Sequence, residues 1–270
     1  MEKWRLIISE PLSGAENMAI DEAIMLAVGR GAAPPTIRFY RWSPAALTLG
    51  YFQNIEKEVD IAACKSAGVD VVRRLTGGRA VLHRHELTYS LAAPDDNEKI
   101  SGSVLRSYLS ISRGLLKGLS RLGVEAELAE GKNKSETVSP ACFDAPSWYE
   151  LVAQGKKLVG SAQTRRNGCL LQHGSVLLKA DTETLFFVLN FASEKLRERA
   201  KDYFQAKATC LEEIMGYSPE FEVLCDRFKY GFESELGIEL KEQQITEAEA
   251  ALAQELSAGK YGTDEWNRRK

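Results

Sequence analysis

Apolar residues recur along this chain at two spacings, and the spacing predicts which segments form helices and which form strands. Helical spacing marks Met18 to Ala27, Leu105 to Leu119 and Phe221 to Phe232. The sequence also predicts a shorter helix over 59–67 and a capping box formed by Thr209 and Glu212. Short apolar runs bounded by turn residues predict strands. These runs cover residues 4–8, 36–40, 46–50, 70–73, 80–82, 87–91, 148–153, 157–163 and 169–178.

The order of these elements indicates the fold class. Hairpins and long helices follow one another without the regular strand–helix alternation of a parallel α/β fold. Turn residues at Gln154-Gly155 and Asn167-Gly168 predict that the last three strands pair as successive hairpins. We therefore expect an α+β fold with a mixed, largely antiparallel sheet and flanking helices.

Composition narrows the function classes. The 270 residues are 44% hydrophobic and 27% charged with a net charge of −3, which favours a globular protein and not a nucleic-acid binder. No apolar run approaches the roughly 20 residues that a membrane span needs, and the charged N-terminus lacks a signal-peptide core. The five cysteines contain no CxxC pair, which argues against a disulfide framework or a thiolate zinc site. We expect a cytoplasmic protein that does not bind membranes.

A glycine pair stands in the basic segment RRLTGGRAVLH, which begins at Arg73. Strand-like runs lie on both sides of Gly77-Gly78, so the pair is compatible with a simple hairpin turn. It is also compatible with a backbone cradle for a phosphate or carbonyl group, with Arg73, Arg74 or Arg79 adding charge-assisted hydrogen bonds. The spacing matches neither a Walker A loop nor a Rossmann fingerprint. Both interpretations remain open on the residues alone.

Two histidines follow this segment in an HxH pair. His83 and His85 would share one face if both lay on a strand, as zinc ligands can. A third ligand at a convincing spacing is missing, so the sequence predicts neither a metal site nor a cofactor.

The stretch from Ala141 to Leu178 offers the best candidate for covalent chemistry. Cys142 lies in a polar, turn-rich setting, and a strand-like segment brings Lys157 back towards it. A neighbouring ammonium group would lower the pKa of a thiol and so increase the fraction of the nucleophilic thiolate. Spacing does not distinguish Lys157 from Lys156.

The remaining cysteines are weaker candidates for a nucleophile. Cys64 and Cys225 lie on apolar helix faces, and Cys169 lies in a predicted strand, so core packing is favoured for all three. Cys210 is the rival of Cys142, because the first turn of a predicted capped helix would lower the pKa of its thiol.

Several motifs together resemble the lipoate–biotin protein ligase and octanoyltransferase superfamily. The first two are RRLTGGRAVLHRHELTYS, from Arg73, and GKKLVGSAQ, which contains Lys157 and the small residues Gly160, Ser161 and Ala162. The third is LQHGSVLL, from Leu171. CFDAPSWYEL, which contains Cys142, resembles more narrowly the octanoyltransferase branch known from Gram-positive bacteria. The resemblance covers essentially the whole chain.

This resemblance implies specific roles. Cys142 would form an acyl thioester and Lys157 would lower its pKa and contact the oxyanion. The acyl donor would be bound by motif residues, which are Arg73, Arg74, Gly77, Gly78, His83, Gly160, Ser161 and Ala162. The implied fold is the catalytic domain shared with biotin ligases and class II synthetases. Residues 1–270 would form a single such domain, without the accessory domain that ATP-dependent lipoate ligases usually carry.

The implied reaction moves octanoyl from acyl carrier protein to a lysine of the glycine-cleavage H protein or another lipoyl domain. Three alternatives remain: an amidotransferase between H protein and other lipoyl domains, an ATP-dependent lipoate ligase, and a non-catalytic module that binds lipoyl domains.

Overall fold

A computed structural model of the chain describes residues 1–129 and 150–269. The strands are β1 (Glu2–Ile8), β2 (Thr36–Tyr40), β3 (Ala46–Leu49), β4 (Asp70–Arg73), β5 (Val81–His83), β6 (Glu86–Pro94), β7 (Glu127–Ala129), β8 (Glu150–Ala153), β9 (Lys156–Arg166), β10 (Cys169–Leu177) and β11 (Ile238–Glu242). The helices are α1 (Gly14–Gly29), α2 (Ile55–Glu58), α3 (Ile61–Ser66), α4 (Val104–Arg121), α5 (Thr182–Val188), α6 (Glu194–Lys207), α7 (Leu211–Met215), α8 (Phe221–Leu236), α9 (Glu247–Leu256) and α10 (Asp264–Asn267), with a π-helical turn at Ser257–Tyr261.

The strands that the structure describes form one large and one small sheet. The large sheet has eight strands in the order β11-β1-β2-β6-β10-β9-β8-β7. β1 runs parallel to both β11 and β2, whereas every later pair in the order is antiparallel. The expectation of a mixed, largely antiparallel sheet is therefore confirmed. The turns at Gln154-Gly155 and Asn167-Gly168 are also confirmed, since all four residues have positive φ and join paired strands.

The small sheet corrects one interpretation of the glycine pair. Its strand order is β4-β3-β5, so β4 and β5 lie on opposite sides of β3. Residues 74–80 connect these two strands by crossing the end of β3. Gly77-Gly78 is therefore not the turn of a hairpin.

The two faces of the large sheet pack against different helices. Leu91 and Leu170 point towards α4 and α8 in the main core, and their neighbours Ala92 and Leu171 point towards α1. This alternation follows from the period of two along a strand. Three of the glycines at the α4–α8 crossing leave no room for a Cβ atom, which allows the two helices to approach closely: Gly114, Gly118 and Gly231.

The short helix predicted over 59–67 is present as α3, which begins only after Asp60 because the Asp60 side chain caps it. A second local prediction is wrong. Thr209 and Glu212 do not form a capping box, since α7 begins after Cys210 and the Thr209 hydroxyl donates to Glu213 at 3.0 Å. None of the helices in the described residues is long and apolar enough to cross a membrane.

Candidate active site

A cavity of about 180 Å³ opens on the α1 face of the large sheet, where β9, β10 and the small sheet meet. This volume is similar to the roughly 150 Å³ of an apolar cavity that accepts a small aromatic ring. Strands β2, β3, β5, β6, β9 and β10, helix α1 and the loop after β4 all contribute to its wall. The lining residues are Met18, Tyr40, Trp42, Thr48, Arg74, Gly78, Arg79, Val81, His83, Thr88, Glu150, Lys157, Gly160, Ser161, Ala162, His173, Gly174 and Ser175.

Part of the cavity wall is apolar. It is lined by Met18, Trp42 and Val81, together with the ring of Tyr40. The Trp42 ring stacks on the imidazole of His83 with centroids 4.2 Å apart, and its indole N–H donates to Thr88 at 2.8 Å. An apolar wall held in this way is suited to an acyl chain.

Lys157 lies in this cavity and forms a buried ion pair with Glu150. Lys157 is 5% exposed and Glu150 is 6% exposed, and the ammonium group donates to the carboxylate. Adjacent Lys156 points away and donates to the Gln205 carbonyl at 3.3 Å. Cys142, the predicted nucleophile, lies outside the described residues. The sequence reasoning missed Glu150, although it is the glutamate of the CFDAPSWYEL motif.

The small residues that follow Lys157 shape the next part of the wall. Gly160, Ser161 and Ala162 line the cavity opposite Gly174 of β10. A Cβ atom at Gly174 would lie 2.4 Å from the Ser161 Oγ and 2.5 Å from the Gly160 carbonyl. The Ser161 hydroxyl hydrogen-bonds with the Tyr89 hydroxyl at 2.8 Å, so its position is fixed from the opposite face of the sheet.

Two histidines on the floor of the cavity have matching partners. His83 contacts Glu86 through Nδ1 at 2.5 Å and Thr48 through Nε2 at 2.8 Å. His173 contacts Asp21 through Nδ1 at 3.3 Å and Thr76 through Nε2 at 2.7 Å. Because an ionised carboxylate only accepts, Nδ1 donates in both rings, and each Nε2 faces a threonine hydroxyl. His173 was not assigned from sequence, although it is the histidine of the LQHGSVLL motif.

His173 and Asp21 shift each other's pKa in opposite directions, and burial acts on both groups. Burial lowers the pKa of His173, and the nearby charge of Asp21 only partly offsets this effect. Burial alone would raise the pKa of Asp21, but the hydrogen bond from His173 and the charge of Arg38 outweigh it. The Asp21 pKa therefore lies below its ordinary value. The pair is accordingly a neutral imidazole beside an ionised carboxylate.

Arg74 contacts the threonine partners of both histidines. Its guanidinium donates to the Thr48 hydroxyl at 3.0 Å and to the Thr76 hydroxyl at 3.2 Å. It also donates to the carbonyls of Gly77 and Arg79, each at less than 3 Å. Arg74 thus lines the cavity while it holds the Thr76–Arg79 loop.

Arg73, by contrast, is not among the residues that line this cavity. Its buried guanidinium donates to the carbonyls of Gly50 and Gln53 and to those of Asn267 and Arg269. Gly78 lines the cavity but Gly77 does not. The substrate-binding roles predicted for Arg73 and Gly77 stay predictions, and the position of Arg73 favours a structural role.

Most of the other cysteines are buried thiols in apolar surroundings. Burial raises the pKa of Cys64 to about 11 and that of Cys169 and Cys225 to about 12. Cys210 is 2% exposed and precedes a helix of five residues, so it does not occupy the first helical turn predicted for it. These positions make the four thiols poor nucleophiles.

The HxH pair is divided between two environments. His83 is buried at the end of β5, whereas His85 is exposed in the turn that follows. The two rings therefore do not share a strand face, because β5 ends at His83. Across residues 1–129 and 150–269, no group of three potential ligand side chains is placed to hold a metal ion.

Comparisons with a family sequence model and with known proteins agree on one family. The sequence model of the family described as the lipoyl protein ligase A/B catalytic domain matches residues 13–233. The octanoyltransferase LipM of Brevibacillus brevis is 48% identical over 276 residues, with 100% of both chains covered. That of Kyrpidia tusciae is 47% identical over 275 residues, again with 100% of both chains covered.

Solved structures extend the similarity to three dimensions. The archaeal bipartite lipoate protein ligase of Thermoplasma acidophilum, studied together with its E2 lipoyl domain, superimposes with a TM-score of 0.83 at 28% identity. The match covers 100% of this chain and 99% of that chain. A lipoate-protein ligase A bound with ATP gives a TM-score of 0.79 at 28% identity, with 99% of both chains covered. The chain belongs to the lipoyl protein ligase A/B catalytic domain family.

Proposed function

We propose that the chain is a protein N-octanoyltransferase that uses Cys142 to carry the acyl group. The donor is octanoyl–acyl carrier protein, and the acceptor is a lysine of the glycine-cleavage H protein or another lipoyl domain. The observation that carries the proposal is the buried Lys157 in a cavity with an apolar wall, in a chain whose full length matches octanoyltransferases. A thiol nucleophile requires a reducing compartment, so we place the reaction in the cytoplasm.

The chemistry divides into two acyl transfers. The Cys142 thiolate attacks the carbonyl carbon of the donor thioester, and the carrier thiolate leaves and takes up a proton. The acceptor amine then attacks the Cys142 thioester, an amide forms, and the Cys142 thiolate leaves while the amine loses a proton. Lys157 favours the thiolate and stabilises the oxyanion of both tetrahedral intermediates. No nucleotide is needed, because a thioester retains the acyl-transfer potential.

Intact-mass measurement tests this proposal. Incubation with octanoyl–acyl carrier protein should add one octanoyl group that neutral hydroxylamine releases. Cys142→Ala should abolish the adduct, and Cys210→Ala should keep it, since Cys210 is buried and does not line the cavity. A persistent adduct in Cys142→Ala would reject the thioester.

Three donors supplied separately distinguish the alternatives. An amidotransferase takes octanoyl from octanoylated H protein and not from the carrier. An ATP-dependent ligase releases pyrophosphate with lipoate and ATP, and it keeps this activity after loss of Cys142. A non-catalytic module binds lipoyl domains without an adduct or turnover.

A further inference from the structure

A basic and aromatic surface lies beside the cavity, and we call it the arginine–tyrosine patch. It consists of Tyr51, Phe52, Arg166 and Arg269. The guanidinium groups of Arg166 and Arg269 each lie 4.5 Å from the centre of the Tyr51 ring. Phe52 packs edge-on against that ring and is 87% exposed, so it offers an apolar contact at the surface.

The two arginines of the patch differ from the arginines around them. Neighbouring Arg79, Arg165 and Arg268 form ion pairs with the carboxylates of Glu58 at 3.5 Å, Asp95 at 3.8 Å and Asp264 at 3.2 Å, respectively. Within residues 1–129 and 150–269, Arg166 and Arg269 have no such carboxylate.

The two guanidinium groups shift the pKa of Tyr51. The hydrogen bond from Arg166, together with the charge of Arg269, lowers the pKa of its hydroxyl. Two guanidinium groups held at one ring repel each other, and an anionic partner would relieve that repulsion.

Buried Arg73 holds the patch in place. Through hydrogen bonds of 3.0–3.1 Å it binds the carbonyls of Gly50 and Tyr51 on one side, and at 3.1 Å it binds the Arg269 carbonyl on the other. One side chain therefore joins the segment that carries Tyr51 and Phe52 to the segment that carries Arg269. A surface fixed before binding loses less conformational entropy when a partner docks.

The patch and the cavity lie on the same face of the large sheet. Ala162 pairs with His173, and Arg166 pairs with Cys169, so all four side chains point to the α1 side. Arg166 is four residues beyond Ala162 in β9, which corresponds to about 13 Å along the strand. The Thr76–Arg79 loop bridges this distance, since the Tyr51 N–H donates to the Thr76 carbonyl at 2.8 Å and Gly78 lines the cavity.

This separation suits the donor better than the acceptor. The acceptor presents its amine on a single lysine side chain, so the acceptor domain must lie directly over the reacting thioester. A carrier protein presents its acyl group at the end of a long prosthetic arm and can dock farther away. That arm is attached through a phosphodiester, and its negative charge complements two arginines that have no carboxylate partner within residues 1–129 and 150–269.

We propose that the arginine–tyrosine patch docks the anionic surface of the acyl carrier protein, so that the acylated arm reaches the cavity across the Thr76–Arg79 loop. This inference rests on the proposed octanoyl transfer, and it adds the surface by which the donor is selected. Phe52 supplies the apolar contact, and Arg166 and Arg269 supply the charge.

The test compares two donors with the same thioester. One is octanoyl–acyl carrier protein, and the other is octanoyl-pantetheine, which has the arm without the protein or the phosphate. In the variant with Arg166→Glu and Arg269→Glu, acylation of Cys142 by the carrier should fall at least about tenfold in kcat/KM, mainly through KM. Acylation by octanoyl-pantetheine should stay within about twofold. Arg199→Glu on α6 is the matched control, because Arg199 is exposed and does not line the cavity.

The possible outcomes separate the inference from the proposed function. An equal loss with both donors would assign the effect to the cavity or the fold and overturn docking. An unchanged rate with the carrier would also overturn it, and a loss confined to transfer from Cys142 to the lipoyl domain would assign the patch to the acceptor. If the wild type accepts octanoyl from neither donor, the proposed function fails. Docking is then decided by calorimetric binding of the unacylated carrier, and equal affinity for wild type and the double variant would reject it.

Discussion

Lys157 enters the cavity with its charge already paired, which changes how it can act on a thiol. Its partner Glu150 is equally buried, and the two groups have been removed from water together. Removing one partner of a buried ion pair typically costs about 3–5 kcal/mol, because the other charge is left uncompensated. Under the proposed function, the thiol of Cys142 should respond to the pair, with Lys157 stabilising the thiolate and Glu150 opposing it.

This arrangement predicts pH shifts of opposite sign. The midpoint of Cys142 alkylation should rise in Lys157→Met, because a positive charge is lost, and fall in Glu150→Gln, because a negative charge is lost. Each shift should be on the order of one pH unit. The measurement is the rate of iodoacetamide labelling of Cys142 against pH, read by peptide mass, with Lys156→Met as the matched control. Shifts of the same sign in the two variants would remove Lys157 and Glu150 from thiol activation.

The glycine pair predicts a second contrast between neighbours. Gly78 has a φ of +94°, and a Cβ atom there would lie 2.8 Å from an Arg74 guanidinium nitrogen. Gly78→Ala should therefore lower the free energy of unfolding by about 1–3 kcal/mol. Gly77→Ala is the matched control, since its Cβ atom would meet nothing within 4 Å.

Chemical denaturation and transfer kinetics of both variants check this prediction. A raised KM for the donor in Gly77→Ala, with unchanged stability, would support the substrate-binding role predicted for Gly77. Equal losses of stability in both variants would contradict the geometry of the loop.

Sequence reasoning at this scale found residue types and motifs more readily than roles. The positions of Lys157 and the Gly160–Ala162 run followed from motif resemblance. Glu150 and His173 were missed because their partners depend on strand pairing and on α1, which local spacing does not reveal. Arg73 looked like a ligand-binding group, yet its guanidinium binds the carbonyl of Asn267, which lies 194 positions away in the chain.

At the scale of elements, α1 is joined to the sheet through a buried polar cluster. Asp21 of α1 accepts hydrogen bonds from Arg38 at 3.0 Å, Tyr40 at 2.9 Å, Ser90 at 2.8 Å and His173 at 3.3 Å. These side chains come from β2, β6 and β10, so one carboxylate connects a helix to three strands. Tyr40 and His173 of this cluster line the cavity, so the cluster couples the cavity's geometry to the position of α1.

The cluster makes stability depend on pH with a defined sign. The pKa of His173 in the folded protein lies below the unfolded value of about 6.5. As the pH falls below that value, the unfolded chain binds a proton at this residue before the folded protein does. Stability should therefore decrease as the pH falls below about 6.5, by at most about 1.4 kcal/mol per pH unit. Asp21, whose pKa is lowered, contributes a further loss only at more acidic pH.

Urea denaturation between about pH 7.5 and 5.5 measures this slope. His173→Gln should reduce it, because the titrating group is removed, whereas His85→Gln should leave it unchanged, because His85 is exposed. A slope that survives intact in His173→Gln would contradict a neutral, buried imidazole at this position.

The elements themselves were predicted better than their pairing. Turn chemistry predicted the β8–β9–β10 hairpins, and a strongly periodic apolar face predicted α4. Strand β11 was not predicted, and its parallel pairing with β1 joins residues more than 230 positions apart in the chain. The close α4–α8 contact was also missed, because glycines such as Gly231 weaken a helical pattern in sequence while they permit the packing.

At the scale of the whole molecule, net charge and local charge have opposite signs. The chain carries −3 overall, which would repel an acidic carrier protein at long range, whereas Arg166 and Arg269 attract it at one surface. Local attraction can outweigh a small net repulsion because fields are screened over about 10 Å at 0.1 M salt, and the patch is the nearer charge at contact. The same balance disfavours docking on other faces, so the charges select orientation as well as partner.

Ionic strength should therefore separate the two donors in the wild-type protein. Between about 50 and 500 mM salt, kcat/KM for octanoyl–acyl carrier protein should fall about three- to tenfold as the arginines are screened. Octanoyl-pantetheine carries no charge, so its kcat/KM should stay nearly constant over the same range. The variant with Arg166→Glu and Arg269→Glu should lose the decrease, because added salt then weakens a repulsion. Coincident salt profiles for both donors, or a carrier rate that rises with salt in the wild type, would show that net repulsion and not the patch governs the encounter.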